Sequence, residues 1–598
     1  MTIDTDVLIV GAGPSGLTAA ALLAEYGIDA ITVSKHPGTA DSPRAHITNQ
    51  RTMEIFRELG FEQHAMAVAM SQREMGTQVF ATSFAGTELA RMQTWGAGVD
   101  RRSEYEAASP CQMCNAPQHV LEPVILDAAR RRGAELRFSC ELVEISQGAE
   151  AVTARVRQRA GGDEQLIRAR YAIGADGARS TVAEQIGFPF EGESDLGKAF
   201  TVWLEADLTK YTRHRSGALF FVCEPGSDMW LSAWTCVKPW TEWNPLFLPH
   251  DPAPGDVTEE AVLDTVRRAI GDPDVAVRIK KISTWDINHV VASDYRRGRV
   301  FLVGDAAHRH PPSNGLGSNT SIQDSYNLAW KLALVVRGVA GDRLLDTYHE
   351  ERQPVGRQVI DRAIQSVGEV EPLSQALGLG PGQSQEEAWA SIDELFGGST
   401  AGAERRAKLV EAQELMNWQF NCHGVELGQR YTSGAVVEDG TPWPQYDRDA
   451  ELHYHPTTHP GAYLPHVWLE RGTEPISTLD LAGHGRFAIL TGVGGEDWIE
   501  AATEVGGELG VEIVGRVIGM RQACDDVEGA WARRREISDG GCLLVRPDRH
   551  IAWRSQDRVD DPPAALRRAL VRILARDDAH AVAAADAVHT TIRTQTED

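Results

Sequence analysis

The chain has 598 residues, of which 42% are apolar and 24% charged, enough for two or three ordinary globular domains. With 59 Lys and Arg against 85 Asp and Glu, its formal charge is −26, and it lacks the basic surface of nucleic-acid or membrane-surface binders. Eight scattered cysteines, no signal-peptide pattern and no apolar run long enough to cross a bilayer lead us to expect a cytoplasmic protein with reduced thiols.

The first motif is a glycine-rich turn between a strand and a helix. The apolar strand Val7–Val10 leads into Gly11-Ala-Gly-Pro-Ser-Gly16, and an Ala/Leu-rich helix follows. Gly11 permits the tight turn, Gly13 lets backbone approach a pyrophosphate, and Gly16 lets helix and strand pack closely. The turn therefore predicts dinucleotide binding by Gly11, Gly13, Pro14, Ser15 and Gly16.

The second strand, Ala30–Val33, ends unusually for such a unit. An acidic residue normally stands there and binds ribose hydroxyls. Here Ser34 and Lys35 take its place. We expect Ser34 to bond a hydroxyl and Lys35 to approach the adenosine or the pyrophosphate.

Two later strands also end in turns. Arg168–Ile173 runs into Gly174-Ala-Asp-Gly177, so Asp176 opens a tight Asp-Gly turn. Val300–Val303 runs into Gly304-Asp305, followed by a loop that carries Pro311, Pro312, Gly315 and Gly317. Such a loop brings bare backbone close to a ligand.

A helix follows this loop, and Asn319, Thr320 and Ser321 are suitable N-cap residues for it. The positive end of that helix favours an anion, such as the N1–C2=O edge of a reduced flavin. Asp305 can hold a ribityl hydroxyl, and the backbone of Pro312 and of Gly317 to Asn319 is expected to face the ring.

Between the last two motifs, Phe200–Glu205, Ala218–Val222 and Trp230–Thr235 predict a mostly antiparallel sheet. A face rich in Trp and Phe could hold an aromatic ring, or it could be plain core. Asp286 is polar in an otherwise apolar run, which makes it a candidate on the substrate side.

The last third of the chain divides into a linker and a small domain. Residues 372–405 are rich in Gly, Ser and Gln and are predicted to be a linker with one helix. Strand–helix–strand units recur from about Ser477 to Arg554, without a CxxC pair. Cys111-Gln-Met-Cys114 and His308-Arg-His310 lack further ligands, so no metal site is expected.

Gly304-Asp-Ala-Ala-His308, Pro311-Pro312 and Asn327-Leu-Ala-Trp-Lys-Leu332 together resemble the second flavin motif of the class A flavoprotein aromatic hydroxylases. Over the whole chain the likeness is to the phenol hydroxylase branch, with the 2,4-dichlorophenol 6-monooxygenase type as the nearest. The resemblance implies further cofactor contacts: Arg44 along the ribityl and pyrophosphate groups, Gln118 beside the ring, backbone near Leu142 at the adenine, and Asp176 near flavin and pyridine nucleotide. It places His46 at the ring side of the flavin.

The resemblance also implies an α/β plus α+β architecture. A Rossmann-like FAD-binding domain of the p-hydroxybenzoate hydroxylase fold is expected over residues 1–75, 111–195 and 291–405. An antiparallel-sheet substrate domain is expected over residues 76–110 and 196–290. A connecting segment, 406–470, then leads to a thioredoxin-like domain over 471–598 that lacks a redox CxxC and serves packing or assembly.

The implied activity is monooxygenation with FAD, with NADPH or NADH and O2 as co-substrates. A flavin C4a-hydroperoxide would hydroxylate a small phenol or hydroxypyridine ortho or para to an activating hydroxyl, and Asp286 or His46 would serve as the base. A homo-oligomer is expected. The alternatives are a halogenase, which needs a Trp-x-Trp-x-Ile-Pro element absent here, a plain NAD dehydrogenase, which leaves Gly304-Asp305 unexplained, and a non-enzymatic flavin-binding assembly protein.

Overall fold

A computed structural model describes residues 2–248 and 258–576. The N-terminal half is built on an eight-stranded sheet, in which Thr2–Val10 runs parallel to both Ala30–Val33 and Glu164–Gly174. The strands follow the order Arg296–Arg297, Val300–Leu302, Glu164–Gly174, Thr2–Val10, Ala30–Val33 and Glu135–Arg137, with Val152–Gln158 and Cys140–Gln147 joined to one side. The carboxyl ends of the parallel strands meet at one edge, where such sheets bind their ligands.

A second eight-stranded sheet is mostly antiparallel, as predicted. Among its described strand pairs only one, Leu219–Cys223 with Thr77–Ala81, is parallel. The strands follow the order His308–Arg309, Arg278–Ala292, Phe190–Glu205, Glu242–Phe247, Leu231–Lys238, Leu219–Cys223, Thr77–Ala81 and Glu88–Gln93. We call this the large antiparallel sheet.

Three smaller sheets complete the described strands. The first holds Ile47–Thr48, Cys114–Asn115 and Met70–Ser71, and the second pairs Trp468–Arg471 with Glu474–Ser477. The third lies in the C-terminal domain, in the order Ile513–Val517, Phe487–Thr491, Cys542–Val545 and Ile551–Ser555. The recurring strand–helix–strand pattern predicted for this domain is therefore confirmed. Residues 577–598 of the predicted domain lie outside the described residues.

The helices pack on these sheets and fill the space between them. In the described chain they are Pro14–Glu25, Gln50–Glu58, Glu62–Ala67, Gln72–Met75, Arg102–Ala108, Gln118–Arg131, Thr181–Ile186, Thr209–Thr212, Glu259–Ile270, Gly317–Val336, Asp346–Gly368, Val370–Leu377, Gln385–Phe396, Thr400–Leu415, Asn417–Phe420, His423–Leu427, Asp497–Leu509, Ala530–Arg534 and Pro562–Ile573, with short 3-10 turns at Arg213–Arg215, Gly304–Ala306, Asp342–Leu345 and Thr478–Leu481. None of them is both long and apolar enough to cross a membrane.

The prediction of a linker with one helix over residues 372–405 is wrong, because the region contains more helix than that. Three helices occupy this region: Val370–Leu377, Gln385–Phe396 and the start of Thr400–Leu415. The middle one begins with a capping box, in which Ser384 and Glu387 satisfy each other's backbone N–H groups. Together with the large antiparallel sheet, these helices enclose an apolar core that includes Leu373 and Ile392.

One apolar core joins the parallel sheet to the C-terminal domain. It includes Leu8 and Ile173 of the parallel sheet, and Phe487 and Leu544 of the C-terminal sheet. Trp330 of helix Gly317–Val336 meets Phe487 edge-on, with 5.9 Å between the ring centroids. The C-terminal domain is therefore packed against the helix that starts at the candidate site.

Candidate active site

The glycine turn is closely packed at Gly11 and Gly16 and leaves free space at Gly13. Gly11 has φ +111°, and a Cβ there would lie 2.1 Å from the carbonyl oxygen of Ala175. A Cβ on Gly16 would lie 2.0 Å from the carbonyl oxygen of Gly11, whereas a Cβ on Gly13 would meet nothing within 4 Å. The open space above Gly13, at the start of helix Pro14–Glu25, fits a diphosphate.

Cations surround the end of strand Ala30–Val33. The pKa of His36 is lowered by burial and by the charges of Lys35, Arg44 and Arg159. Ser34 is buried, and its Oγ accepts a bond of 3.3 Å from the His36 backbone N–H. Arg44 is exposed, and no described residue pairs with its guanidinium. The missing ribose carboxylate is thus replaced by a cationic rim.

The turn after strand Val300–Leu302 lies directly against the first glycine turn. Gly304 has φ +61°, and a Cβ there would lie 2.7 Å from Ser321 Oγ and 3.1 Å from Ser15 Oγ. The next residue, Asp305, is exposed, and within the described chain its carboxylate accepts no hydrogen bond. A free carboxylate at the end of a parallel strand suits a ribityl hydroxyl.

Helix Gly317–Val336 begins earlier than the sequence suggested, at Gly317 and not after Asn319 to Ser321. Thr320 makes the first backbone bond of the helix, 2.8 Å from its N to the oxygen of Leu316. The N–H groups of Gly317, Ser318 and Asn319 precede it and find no acceptor among the described residues. This unfilled helix end matches the anion site expected for the flavin edge.

The side chain of Asn319 does not face a cofactor. Its Oδ1 accepts bonds of 3.0 Å from the Asn49 N–H and 2.7 Å from Thr52 Oγ1. Its Nδ2 donates to the carbonyl oxygens of Ile47, at 2.9 Å, and Gly315, at 2.8 Å. Asn319 therefore fastens the loop to helix Gln50–Glu58, and only its backbone remains for a ligand.

A cleft brings the predicted segments together. The Gln118 side chain donates to Glu122 over 2.5 Å, and the Gln118 backbone N–H donates to the oxygen of Ala45 over 2.8 Å. Burial raises the pKa of Glu122. The lining residues come from four separate stretches of sequence, namely Pro14, Ala45, Thr48, Ala116, Gln118, Leu121, Glu122, Ile125, Ser318 and Ile322.

His46 lies beside this cleft, and its hydrogen bond to Asn115 determines which ring nitrogen carries the proton. Asn115 Nδ2 donates to the carbonyl oxygen of Cys236 over 2.9 Å, so Asn115 Oδ1 is the atom that faces His46 Nδ1, also at 2.9 Å. Nδ1 must therefore carry the proton, and Nε2 is left as an acceptor. Burial lowers the pKa of His46 to about 4, which keeps the ring neutral at ordinary pH.

One side of the large antiparallel sheet covers the cleft region. The Trp203 ring lies 5.2 Å from the ring of His119, the neighbour of Gln118. Phe221 lies 6.3 Å from Phe420, whose neighbour Gln419 donates to the oxygen of Ser313. Because side chains alternate along strands, one side of the sheet faces the loop that carries Pro311, Pro312 and Gly315, which we call the flavin loop. This cleft-facing side carries Thr201, Trp203, Leu219, Phe221, Ala233, Thr235, Asn244 and Leu246.

Asp286 is not brought to the cleft. Its side chain is 55% exposed and pairs with Lys198 Nζ at 3.0 Å. It alternates with Trp285 and Ile287, which are half-buried, so the strand directs the carboxylate toward solvent. An exposed, paired carboxylate is a poor base for a water-excluding pocket, and His46 remains as the base candidate.

Three other predicted residues lie at the edges of the site. Asp176 accepts bonds from Ser180 Oγ and from the Val182 N–H, so its carboxylate holds the start of helix Thr181–Ile186 and only its backbone lies beneath Gly11. Leu142 is buried in strand Cys140–Gln147. Pro312 is exposed in the loop.

No sequence pattern indicates the charged group that lies beneath the loop. Asp324 is fully buried and accepts from the Gly304 N–H and His308 Nε2, both at 3.0 Å, and from Arg352 Nε at 2.8 Å. Burial alone would raise the pKa of Asp324, but Arg352 and His308 hold it below its usual value. His308 is 1% exposed and packs under the loop. Only the fold brings these residues together.

Family models and known proteins match most of the chain. A family model described as FAD binding domain matches residues 4–363, and one described as aromatic-ring hydroxylase, C-terminal matches residues 457–577. The chain is 45% identical over 577 residues to 2,4-dichlorophenol 6-monooxygenase of Delftia acidovorans, covering 96% of this chain and 98% of that protein. It is 42% identical to phenol 2-monooxygenase of Pseudomonas sp. (strain EST1001), covering 94% and 92%. The crystal structure of the flavin-dependent monooxygenase PieE in complex with FAD and substrate matches with TM-score 0.93 at 47% identity, covering 96% of this chain and 100% of that one.

Proposed function

The chain belongs to the class A FAD-dependent aromatic monooxygenases, in the phenol hydroxylase branch, and we propose that its cleft hydroxylates a phenol or hydroxypyridine ortho or para to an activating hydroxyl. It is an enzyme that uses FAD, NAD(P)H and O2. The observation that carries the substrate proposal is the hydrogen bond from His46 Nδ1 to Asn115 Oδ1, which leaves Nε2 as an acceptor beside the cleft.

The residues around the cleft fit FAD. The turn Gly11 to Gly16 would hold the diphosphate, with Ser34, Lys35 and Arg44 on the adenosine and diphosphate side. Asp305 and Gln118 would hold the ribityl chain, and the backbone at Pro312, Gly315 and Gly317 to Asn319 would hold the ring edge. Leu142 and Asp176 would contribute through backbone, and Gly304 lets the two turns lie close together. FAD held there would supply the redox chemistry of the reaction, with NAD(P)H as the reductant and O2 as the oxidant.

His46 removes the proton of the substrate hydroxyl. Its Nε2 accepts that proton, and Asn115 Oδ1 holds the Nδ1 proton in place, so the ring does not rotate during transfer. A deprotonated hydroxyl donates electron density to its ortho and para carbons, which makes them better nucleophiles. Asp286 takes no part because it stands in water beside Lys198.

Different domains bind the cofactor and cover the substrate. Residues 1–75, 111–195 and 291–405 form the FAD-binding domain, and residues 76–110 and 196–290 cover the substrate. Within the first of these domains, helices Val370–Leu377 and Gln385–Phe396 pack on the large antiparallel sheet and support the substrate side. The cleft-facing side of the large antiparallel sheet presents Trp203, Phe221 and Leu246, whose apolar surface excludes water from the ring. Segment 406–470 and the C-terminal domain, 471–598, support this arrangement from outside.

The test is NAD(P)H oxidation by FAD-loaded enzyme with a panel of phenols, hydroxypyridines and hydroxybenzoates, offered with NADPH and with NADH. We expect strong stimulation by one ring class, little hydrogen peroxide and a product heavier by one oxygen atom. Asp286→Asn serves as the control and should behave as wild type. Stimulation that yields only peroxide with every ring would count against hydroxylation of these classes.

Assembly and location are also part of the proposal. The side chains of Trp389, Phe396 and Val410 lie on neighbouring helices and are 38%, 56% and 57% exposed, which supports self-association into a homo-oligomer. Light scattering of the holoenzyme measures the oligomeric state.

All eight cysteines are buried and unpaired, and NAD(P)H is required, which supports a cytoplasmic location. Fractionation of source cells tests this location.

A further inference from the structure

A polar row crosses the cleft-facing side of the large antiparallel sheet. Gln78 pairs with Leu219, Leu219 with Thr235, and Thr235 with Asn244. Residues paired directly across a sheet share one face, so all four side chains lie on the cleft-facing side. The next row on that side holds the apolar residues Phe80, Phe221, Ala233 and Leu246 and ends at Thr201.

The polar side chains of this row have no hydrogen-bond partner among the described residues. Gln78 is fully buried, and neither its Oε1 nor its Nε2 has a hydrogen-bond partner within the described chain. Asn244 is 8% exposed and Thr235 half-buried, and neither side chain is bonded to another described residue. A buried amide without a partner costs folding free energy, so native proteins pair such groups or leave them for a ligand.

The contrast with other amides near the cleft is informative. Asn319 uses both ends of its amide in four bonds, and Asn115 uses both ends to fix His46 and the strand that carries Cys236. Those amides hold the protein together. Gln78 contributes nothing of that kind, although it occupies the same covered space between sheet and flavin loop.

We propose that Gln78, Thr235 and Asn244 bind a second hydrogen-bonding group of the substrate, remote from the hydroxyl that His46 deprotonates. This inference rests on the proposed function and names its substrate class. A primary amide offers a donor beside an acceptor, which matches the N–H and C=O of a hydroxypyridine in its pyridone form, or a pair of ring hydroxyls. A halogen satisfies neither end. The preferred ring is therefore an oxygen- or nitrogen-bearing aromatic and not a halophenol.

The experiment compares 2,4-dihydroxypyridine with 2,4-dichlorophenol in the FAD-loaded enzyme. We expect Gln78→Leu to lower kcat/KM for the dihydroxypyridine about tenfold or more, mainly by raising KM, because binding loses its hydrogen bonds while the reacting end is untouched. The kcat/KM for dichlorophenol should stay or rise. Gln93→Leu, the same change at an exposed position on the edge of this sheet, is the control.

A second measurement separates substrate binding from a structural role. Without substrate, Gln78→Leu should melt at the same temperature as wild type or higher, because an unsatisfied buried amide is removed. A lower Tm, or an equal loss of kcat/KM for both rings, would show that the amide supports the fold and overturn the proposal.

The two proposals fail in different ways. Ligand-induced shifts in Tm report binding without turnover. If the dihydroxypyridine raises the Tm of wild type but not of Gln78→Leu, and no hydroxylated product forms, the row is a binding site and the hydroxylase proposal is wrong. If dichlorophenol is hydroxylated best and Gln78→Leu changes nothing, the hydroxylase proposal stands and the inference about the row is wrong.

Discussion

At the scale of single residues, the state of His46 has a direct kinetic consequence. A neutral histidine with a free Nε2 helps most when the substrate hydroxyl would otherwise keep its proton. Its help is unnecessary when the hydroxyl is already ionised in solution. The effect of removing it should therefore depend on the acidity of the substrate.

His46→Asn should lower the rate of product formation roughly 100-fold for ring hydroxyls with pKa near 10, the ordinary value for a phenol. The loss should shrink to a few-fold for nitro- or fluoro-substituted rings that are ionised at the assay pH. The measurement is kcat for product across such a series at one pH. An equal loss for every member would mean that His46 positions the ring and does not accept its proton.

Glu426 offers a residue-scale prediction about stability. It is 3% exposed, Oε2 has no hydrogen-bond partner among the described residues, and burial raises its pKa to about 8, with Arg101 opposing this. Tyr105 and Cys422 are the other titratable groups that interact with it. At neutral pH the folded protein therefore carries a protonated carboxyl there.

Between the ordinary pKa of about 4.5 and the folded value of about 8, the unfolded chain loses this proton and the folded chain keeps it. Stability contributed by this site therefore falls as pH rises through that window, by about 1.4 kcal/mol per unit, and is constant above it. Glu426→Gln should flatten the fall of Tm between pH 5 and pH 8. Glu411→Gln, on an exposed helix face, should leave the slope of wild type, and a Glu426→Gln slope equal to that control would refute the assignment.

The residues that sequence could assign are those whose role is local. Gly11 to Gly16 follow from a turn that only glycine can make, and Gly304-Asp305 follows from a strand end. Asp286 could not be excluded, because the side of the sheet to which a strand turns each residue depends on its partners. Gln78 gave no signal, since its meaning comes from Leu219 and Thr235 on strands far along the chain.

At the scale of elements, the glycine turn separates folding from cofactor binding. Gly16 is packed against Gly11, while the space above Gly13 is empty of protein. Equal changes at these two positions should therefore act on different properties of the enzyme.

Gly13→Ala should leave the Tm of the FAD-free protein near that of wild type and weaken FAD binding at least tenfold, because the methyl group enters the space for the diphosphate. Gly16→Ala should lower the Tm of the FAD-free protein itself, because its Cβ would overlap the carbonyl of Gly11. Fluorescence titration with FAD and thermal melts of the apoprotein measure the two effects. A lower Tm of the FAD-free Gly13→Ala protein would contradict the free space at Gly13.

Element types were predictable here where periodicity was strong, and element starts were not. The parallel strands and the strands of the large antiparallel sheet appear where their apolar runs placed them. Helix Gly317–Val336 starts before its best capping side chains because Asn319 is used to hold Asn49 and Thr52 instead. The supposed linker forms helices because Ser384 and Glu387 cap one of them, and its apolar residues cover the large antiparallel sheet.

At the scale of the whole molecule, a hairpin of the C-terminal domain is built into the FAD-binding half. Arg546 lies between strands Cys542–Val545 and Ile551–Ser555 and makes two bonds to Glu351, at 2.6 and 2.8 Å. Glu351 also receives Lys331 Nζ at 2.7 Å, and Arg546 pairs with Asp548 at 2.6 Å. Burial lowers the pKa of Lys331 to about 8, although Glu351 opposes this shift. This fully buried group joins the domain to helices Gly317–Val336 and Asp346–Gly368.

Because the group is buried, breaking it should lower the free energy of unfolding strongly and should also weaken the binding of FAD. Arg546→Met leaves Glu351 undercompensated and should cost about 3–5 kcal/mol, whereas Arg567→Met, which breaks the half-exposed pair with Glu508, should cost about 0–1 kcal/mol. Since the same helix starts at the proposed flavin site, we expect FAD release and loss of circular dichroism at one lowered temperature in Arg546→Met. Adding Glu351→Met to Arg546→Met should recover part of the loss, because the uncompensated carboxylate is gone. If FAD left well before the remaining structure melted, or if both arginine variants melted alike, the C-terminal domain would be an independent appendage and not part of the flavin site's support.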